Sequence, residues 1–402
     1  MKEKFKEYLL KVSIYSMNKN TCDFFCKQTE ITKQKLELYN WYIEKFAITL
    51  LMATWKIFIA DLFSWAWYNW SEKWSPLLLI DILNKLLTDN TLLNKYKYNS
   101  PQVFLLFNDK NNIEELKQKL ENYEINKNIN IQYQKKDFKD ILSDITTILT
   151  NTKIHKFFFL DQYSYSTVSF QDIKNLFLVK NTEILLFSPV MDLYRFVNAS
   201  NILNNKEHKT RKVIEDFTEK WVWNHYEKDI HKLCEEIILK MRKDLNSNYI
   251  RYVLLDDWKR KNALFYISWH ILWLIKFNGV ASKLWDYWIW KIDIKKKKEE
   301  KKENYQIPLF WEKVLDNKCI DKLCCFKEDL IKLLQNSILS NVNIIEFAAI
   351  NWVLISDVKE ILKNLYKDWK LEIEYVNWWS TRSIYIAEWN RDKIKCNIKY
   401  KS

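Results

Sequence analysis

Apolar residues return at helical spacing through TKQKLELYNWYIEKFAITLLMA, which begins at Thr32: Leu36, Tyr39, Tyr42, Ile43, Phe46 and Leu50 share one face. The pattern then changes. Ile57, Phe58, Ile59 and Ala60 form an unbroken apolar run closed by Asp61, which predicts a buried strand. A helix is predicted from Ser75 or Pro76, since Ser caps, Pro suits the first turn, and Leu77 to Leu83 is mostly apolar. The alternation repeats. Val103 to Asp109 reads as strand and IEELKQKLENY as helix. INIQYQK reads as strand, with a helix through Leu149. Phe157 to Leu160, closed by Asp161, reads as strand, FQDIKNLFL as helix, and Thr182 to Val190 as strand again.

Strands alternating with helices predict an α/β fold: a Rossmann-like, doubly wound parallel sheet with helices on both faces and ligands at the carboxyl ends of the strands. Asp61, Asp109, Asp137 and Asp161 would then share one rim. Residues from about 197 to 256 are charged and read as a helical insertion. NALFYISWHILWLI and SKLWDYWIWKID return to apolar strand and helix. The run KKKKEEKKE reads as part of a solvated linker, 295–304. Beyond it, three helical segments (DLIKLLQNSIL, IIEFAAIN and ISDVKEILKNLYKD) precede two strand-like runs, LEIEYV and RSIYIA. Helices followed by a β-hairpin predict a C-terminal winged helix-turn-helix domain over 305–402. The remaining divisions are an N-terminal helical segment, 1–40, and the Rossmann-like domain, 41–294.

Composition changes the picture at the loop after Asp61. Trp65, Trp67, Trp70 and Trp74 stand where nucleotide-binding loops need glycine, for positive φ and for close approach of backbone amides. The whole chain has 1 Gly and 20 Trp. At the usual content of about 7%, roughly 28 Gly would be expected in 402 residues. Most Trp are therefore read as glycines encoded by UGA, a codon that some bacteria read as glycine; the alternative is a Trp-rich protein. The positions agree with recoding. Asn377-Trp378-Trp379-Ser380 becomes a hairpin turn, Trp369 follows the helix EILKNLYK, and Asn351-Trp352 becomes Asn-Gly. Trp41 and Trp285 lie on apolar helical faces and read as true tryptophans.

The formal net charge of +13 favours a polyanionic partner, DNA or RNA, although a Lys-rich, AT-rich genome gives the same bias. A winged helix either places a helix in the DNA major groove or docks a protein. Seven cysteines, an odd number, argue against a secreted disulfide framework. Cys22 with Cys26, and Cys319 with Cys324 and Cys325, lack the histidines or second ordered pair of a metal site, so reduced thiols are expected. No apolar run reaches 18 residues and no signal-peptide core precedes a cleavage site, so no membrane association and a cytoplasmic location are expected.

Two further acids have local alternatives. Asp109, after the second strand, stands where ribose hydroxyls are held, yet it also suits a turn before the next helix. Asp137-Phe138 follows the third strand and is placed to touch an adenine, while Asp137 also suits a helix cap.

With Trp65 and Trp67 read as Gly, the loop becomes DLFSGAG, which resembles the first motif of S-adenosylmethionine-dependent methyltransferases. The wider set IFIADLFSWAW, WSPLLLIDIL, FFFLDQYSYS, TEILLFSPVMDLYRF and ALFYISWHILWLIKFNGVASKLWDYWIWKID resembles the bacterial three-Cys-motif partner (TcmP) proteins over nearly the whole chain. The resemblance implies a methyltransferase-like Rossmann domain, S-adenosylmethionine as cofactor, and a separate iron–sulfur, radical-type protein with a three-cysteine motif as partner. It implies Asp61, Phe63, Ser64, Trp65, Ala66 and Trp67 as the cofactor loop. Asp161, Tyr163 and Tyr165 fit the family's Asp-Pro-Phe-Gly-Tyr segment, with Gln162 in place of Pro and Ser164 in place of Gly. Loss of that proline puts amine methylation in doubt. Arg195, ending LYRF with Phe196, would pair with Asp161, meet a phosphate, or remain a surface cation. The enzyme reading is a methyltransferase acting on nucleic acid or a nucleotide-derived group. The rival is a non-catalytic DNA-binding adaptor of the three-Cys protein.

Overall fold

The computed structural model describes residues 29–54, 56–64, 73–96, 101–149, 153–162, 164–197, 209–218, 230–256, 261–284, 322–368, 370–375 and 396–401. The chain divides into two compact units, Met1–Trp269 and His270–Ser402.

The first unit opens with α1, Glu30–Ala53, capped by the Thr29 hydroxyl, which accepts from the Thr32 amide at 3.2 Å. The helix continues unbroken through residue 40, where the pattern alone places a division. Strand β1, Lys56–Asp61, follows, then α2, Ser75–Thr88, and a short α3, Asn90–Leu93. Next come β2, Gln102–Asn108, and α4, Ile113–Glu121; β3, Ile129–Gln134, and α5, Phe138–Leu149; and β4, His155–Asp161, and α6, Phe170–Phe177. Strand β5, Thr182–Ser188, leads into α7, Val190–Val197. Two further helices, α8 (Lys209–Phe217) and α9 (Ile230–Leu245), precede β6, Ile250–Asp256, and β7, Lys261–Ser268.

The seven strands are ordered β3-β2-β1-β4-β5-β7-β6. Strands β1 to β5 pair in parallel, whereas β7 runs antiparallel between β5 and β6. The sheet is thus mostly parallel rather than wholly so. The cause is local: only residues 257–260 join β6 to β7, and a parallel crossover needs a dozen or more residues. The expected helical insertion is also corrected at its end, because Ile250–Asp256 is a strand. Arg251, buried within β6, interrupts the apolar run that would have marked it.

Helix α1 runs antiparallel to β4, and their side chains meet level by level. Lys35 meets Asp161, Tyr39 lies 4.5 Å from Phe159 between ring centroids, and Tyr42 lies 5.7 Å from Phe157. One helical turn advances about 5.4 Å and two strand residues about 6.6 Å, which keeps the two series in step. At the amino end of β5, buried Glu183 accepts from Tyr266, and from the Ser268 hydroxyl at 3.0 Å. The hydroxyls of Tyr266 and Tyr42 lie 2.6 Å apart, so the network ties α1 to the sheet.

The second unit contains α10, Ile271–Leu284, then α11, Lys322–Asn336, β8, Leu339–Ser340, α12, Asn341–Ile350, α13, Ile355–Lys367, and strands β9, Leu371–Tyr375, and β10, Cys396–Tyr400. The strands form an antiparallel sheet ordered β8-β10-β9. Strand β9 pairs with Cys396–Tyr400; the RSIYIA run, the NWWS turn, Trp369 and the linker 295–304 lie outside the described residues. Asn278 of α10 donates to the Ala349 carbonyl at 3.0 Å.

Helix α12 ends in a Schellman closure. The Val353 amide donates to Ala348 O at 2.9 Å and the Trp352 amide to Ala349 O at 3.4 Å. Trp352 sits at φ 63°, a left-handed position that glycine or asparagine ordinarily fills. Asn246 fills the matching place after α9 at φ 50°. The single glycine, Gly279, stands inside α10, with nothing within 4 Å of the place a Cβ would occupy. Glycine is thus absent where the backbone needs it and present where it does not.

Candidate functional site

The turn after β1 is built on Asp61. Its strand neighbours are apolar, so the side chain is fully buried, and its partners come from the following loop and helix. The Phe63 amide donates to Oδ1 at 3.2 Å, and the Ser75 hydroxyl donates to Oδ2 at 2.7 Å. Ser75 opens α2, so one carboxylate ties the two ends of the 62–74 loop together. Ser64, also buried, donates its hydroxyl to Asp61 O at 2.6 Å and its amide to Asn108 O at 2.9 Å. Asn108, the last residue of β2, donates in turn to Leu62 O and Lys136 O. The carboxyl ends of β1 and β2 and the segment after β3 are thereby laced together.

The other expected cofactor residues divide. Phe63 stacks on Phe138, with centroids 5.1 Å apart, so the first loop is pinned to the start of α5. Phe138 is buried beneath that contact rather than presented as an open face. Asp109 Oδ1 accepts from the Asn111 and Asn112 amides at 2.7 and 2.6 Å, the work of a turn acid. Asp137 is exposed; it accepts from Lys110 at 3.0 Å and from the Lys139 amide at 3.2 Å at the start of α5. Lys110, then that amide, holds the Asp137 carboxyl below its usual range. For both acids the local alternative describes their contacts. Trp65, Ala66, Trp67 and Tyr163 lie outside the described residues.

Asp161 ends β4 beside Asp61. In the parallel register Asp61 is level with Phe159, so Asp161 projects two residues farther out, about 6.6 Å. Its cationic partner is Lys35 of α1, whose side chain is 7% exposed. Lys35 Nζ also lies 4.7 Å from the centre of the Phe187 ring on β5. The pairing of Asp161 with Arg195 is corrected: Arg195 is exposed on α7 and faces Asp192, one turn back, at 3.7 Å. Gln162 is buried, and its Oε1 accepts from the Val168 amide at 3.0 Å, closing the turn where a proline was expected.

Burial pushes Asp61 up to about 7; the Ser75 hydrogen bond opposes that rise, the Asp161 charge adds to it, and Lys35 holds it down. Burial, and then the Asp61 charge, raise the Tyr39 hydroxyl well above its usual range. That hydroxyl has no hydrogen-bond partner among the described residues.

Of the four acids expected on the rim, Asp61 and Asp161 end neighbouring strands and act on each other's charge, while Asp109 and Asp137 shape turns. Lys35, Tyr39, Ser75 and Asn108 complete the site. Only Tyr39 and Ser75 drew notice in the sequence, as an apolar-face residue and a helix cap. Among the described residues no helix is long and apolar enough to cross a membrane. No family model matches the chain, and no curated protein matches it either.

Proposed function

We propose that this chain is an S-adenosylmethionine-dependent methyltransferase-like protein of the three-Cys-motif partner type, acting on nucleic acid or a nucleotide-derived group. The observation that carries the reading is the seat of Asp61. A buried acid ends the central strand, ties its own loop to the next helix, and lies next to a second acid at the point where the strand order reverses. Ligands of open α/β sheets bind at such a reversal. The half-sheet β3-β2-β1 is complete, whereas β7 runs antiparallel where a second parallel mononucleotide half would continue. That favours a cofactor with one nucleoside, such as S-adenosylmethionine, over a dinucleotide. Glycine at Trp65 and Trp67 would let backbone amides hold the methionine part. The left-handed backbone at Trp352 supports reading such tryptophans as glycine.

In this reading Asp61 anchors the cofactor loop and Asp161 positions the acceptor, with Tyr163 beside it in sequence. The second unit is read as a winged helix that brings nucleic acid or a protein partner. Calorimetric titration of S-adenosylmethionine into the protein purified from its own source, with label-transfer assays on DNA and RNA, tests the reading. Binding and transfer are expected; the absence of both would sink it.

The adaptor reading is favoured by two observations: Asp161 is already engaged by Lys35, and Gln162 replaces the proline that would shape an amine-binding turn. The two readings part on Asp161→Ala. An enzyme loses label transfer, whereas an adaptor keeps its capture of the three-Cys protein and its biological activity.

A further inference from the structure

We propose that Lys35, on the helix before β1, is a positioning residue of this edge: its ammonium fixes Asp161 and tunes the charge that the Asp61–Asp161 pair presents to a cationic ligand. The inference rests on the S-adenosylmethionine reading, because that cofactor carries a sulfonium and an ammonium.

The geometry is a small charge cluster, buried at Asp61 and Lys35 and half-buried at Asp161, fed by four elements. Helix α1 supplies Lys35 and Tyr39, α2 supplies Ser75, β1 supplies Asp61 and β4 supplies Asp161. The Phe63 amide adds one donor from the loop. The Asp161 charge adds to the burial that holds Asp61 in its acid form, and a cation beside the two acids opposes it. Lys35 is that cation. It bonds Asp161 directly, and its charge also bears on Asp61. The Phe187 ring covers the ammonium from the side of β5, which limits its movement away from Asp161.

Near neutral pH, Asp61 is poised between its acid and its anion. A cation bound at this edge favours the anion through space, so the Asp61 carboxyl releases one proton to solvent while staying buried on Ser75 and the Phe63 amide. No bond to the ligand forms, and the balance closes with one ligand taken up and one proton given off. Without Lys35, Asp61 would hold its proton to higher pH, and the ligand would have to be offered at higher pH to displace it.

The test is isothermal calorimetry of S-adenosylmethionine with the full native chain between pH 5.5 and 9, in two buffers of different ionisation heat. The wild type is expected to bind about tenfold more tightly at pH 8 than at pH 6, with proton release, as one-site linkage requires. Lys35→Met is expected to move the midpoint up, and Lys35→Arg to keep it. Asp61→Asn, which needs no change at Lys35, is expected to flatten the profile. Equal weakening of Lys35→Met at every pH, or a profile that survives in Asp61→Asn, overturns the inference and leaves the cofactor reading standing. No binding by the wild type at any pH overturns both.

Discussion

Asp61 is a buried carboxyl raised from 3.8 to about 7, mainly because burial disfavours its charge. In the folded state it keeps a proton that the unfolded chain has already lost above about pH 4. Its contribution to stability is therefore greatest in acid and is lost as pH rises toward 7, by at most roughly 4 kcal/mol. Urea denaturation of the wild type and Asp61→Asn across pH 4 to 8 should show their difference closing or reversing over that window; a constant difference would refute it. Backbone effects are as local. Trp352→Gly should stabilise by about 1 kcal/mol, because a bulky residue strains the left-handed cap. Gly279→Ala should add about 0.5–1 kcal/mol within an open helical site. Peptide mass spectrometry of the native protein decides whether residue 352 is glycine already, in which case the first gain is built in.

At the scale of elements, α1 is held by a ladder of aromatic contacts and one polar network. Phe157, fully buried, touches Tyr39, Tyr42 and Phe46, three residues of that helix. Phe157→Ala should cost about 3–5 kcal/mol in denaturant unfolding, because apolar burial is removed and a cavity is left behind. The same ladder places Lys35 over Asp161, so the variant should also weaken ligand binding if it folds. The apolar face of α1 was legible in the sequence because its period is helical. Lys35 was not. A lysine amid TKQKLEL reads as a solvated cation, and only packing against β4 brings Asp161 to it. Glu183 was hidden for the same reason: TEILLFS reads as an apolar strand with one stray acid, and Tyr266 and Ser268 come from residues far along the chain.

At the scale of the whole molecule, each unit carries its own expectation. In the second unit α13 buries Val358, Ile361, Leu362 and Leu365 and exposes Lys359, Lys363 and Lys367, spaced four apart. If this helix meets DNA, Lys359→Glu with Lys363→Glu should weaken duplex binding and lower the salt slope by about 0.9 for each phosphate that is no longer neutralised. Anisotropy titrations over a range of salt measure both. An unchanged slope would assign the unit to protein docking instead. In the first unit the seven-stranded sheet brings the ends of β1, β2 and β4 and the segment after β3 to one edge, the condition for any ligand role of Asp61.

The alternation of apolar strands with amphipathic helices determined the α/β class and the first five strands, because burial imposes its period on the chain directly. The acids closing β1 and β4 were legible too, since each ends an apolar run. Residue 352 was legible as a turn position through Asn351-Trp352, whereas its left-handed backbone at the end of α12 belongs to the fold. Tertiary structure decided the rest. Strand β6 was masked by a buried arginine, and the four-residue link 257–260 forced β7 to run antiparallel. Which acids bear on each other was likewise decided in three dimensions: Asp109 and Asp137 accept from backbone amides of their own turns, whereas Asp61 and Asp161 end neighbouring strands and each feels the charge of Lys35. Local chemistry is written in adjacent residues, but a pairing across 126 positions, as between Lys35 and Asp161, exists only once the sheet has brought the two together.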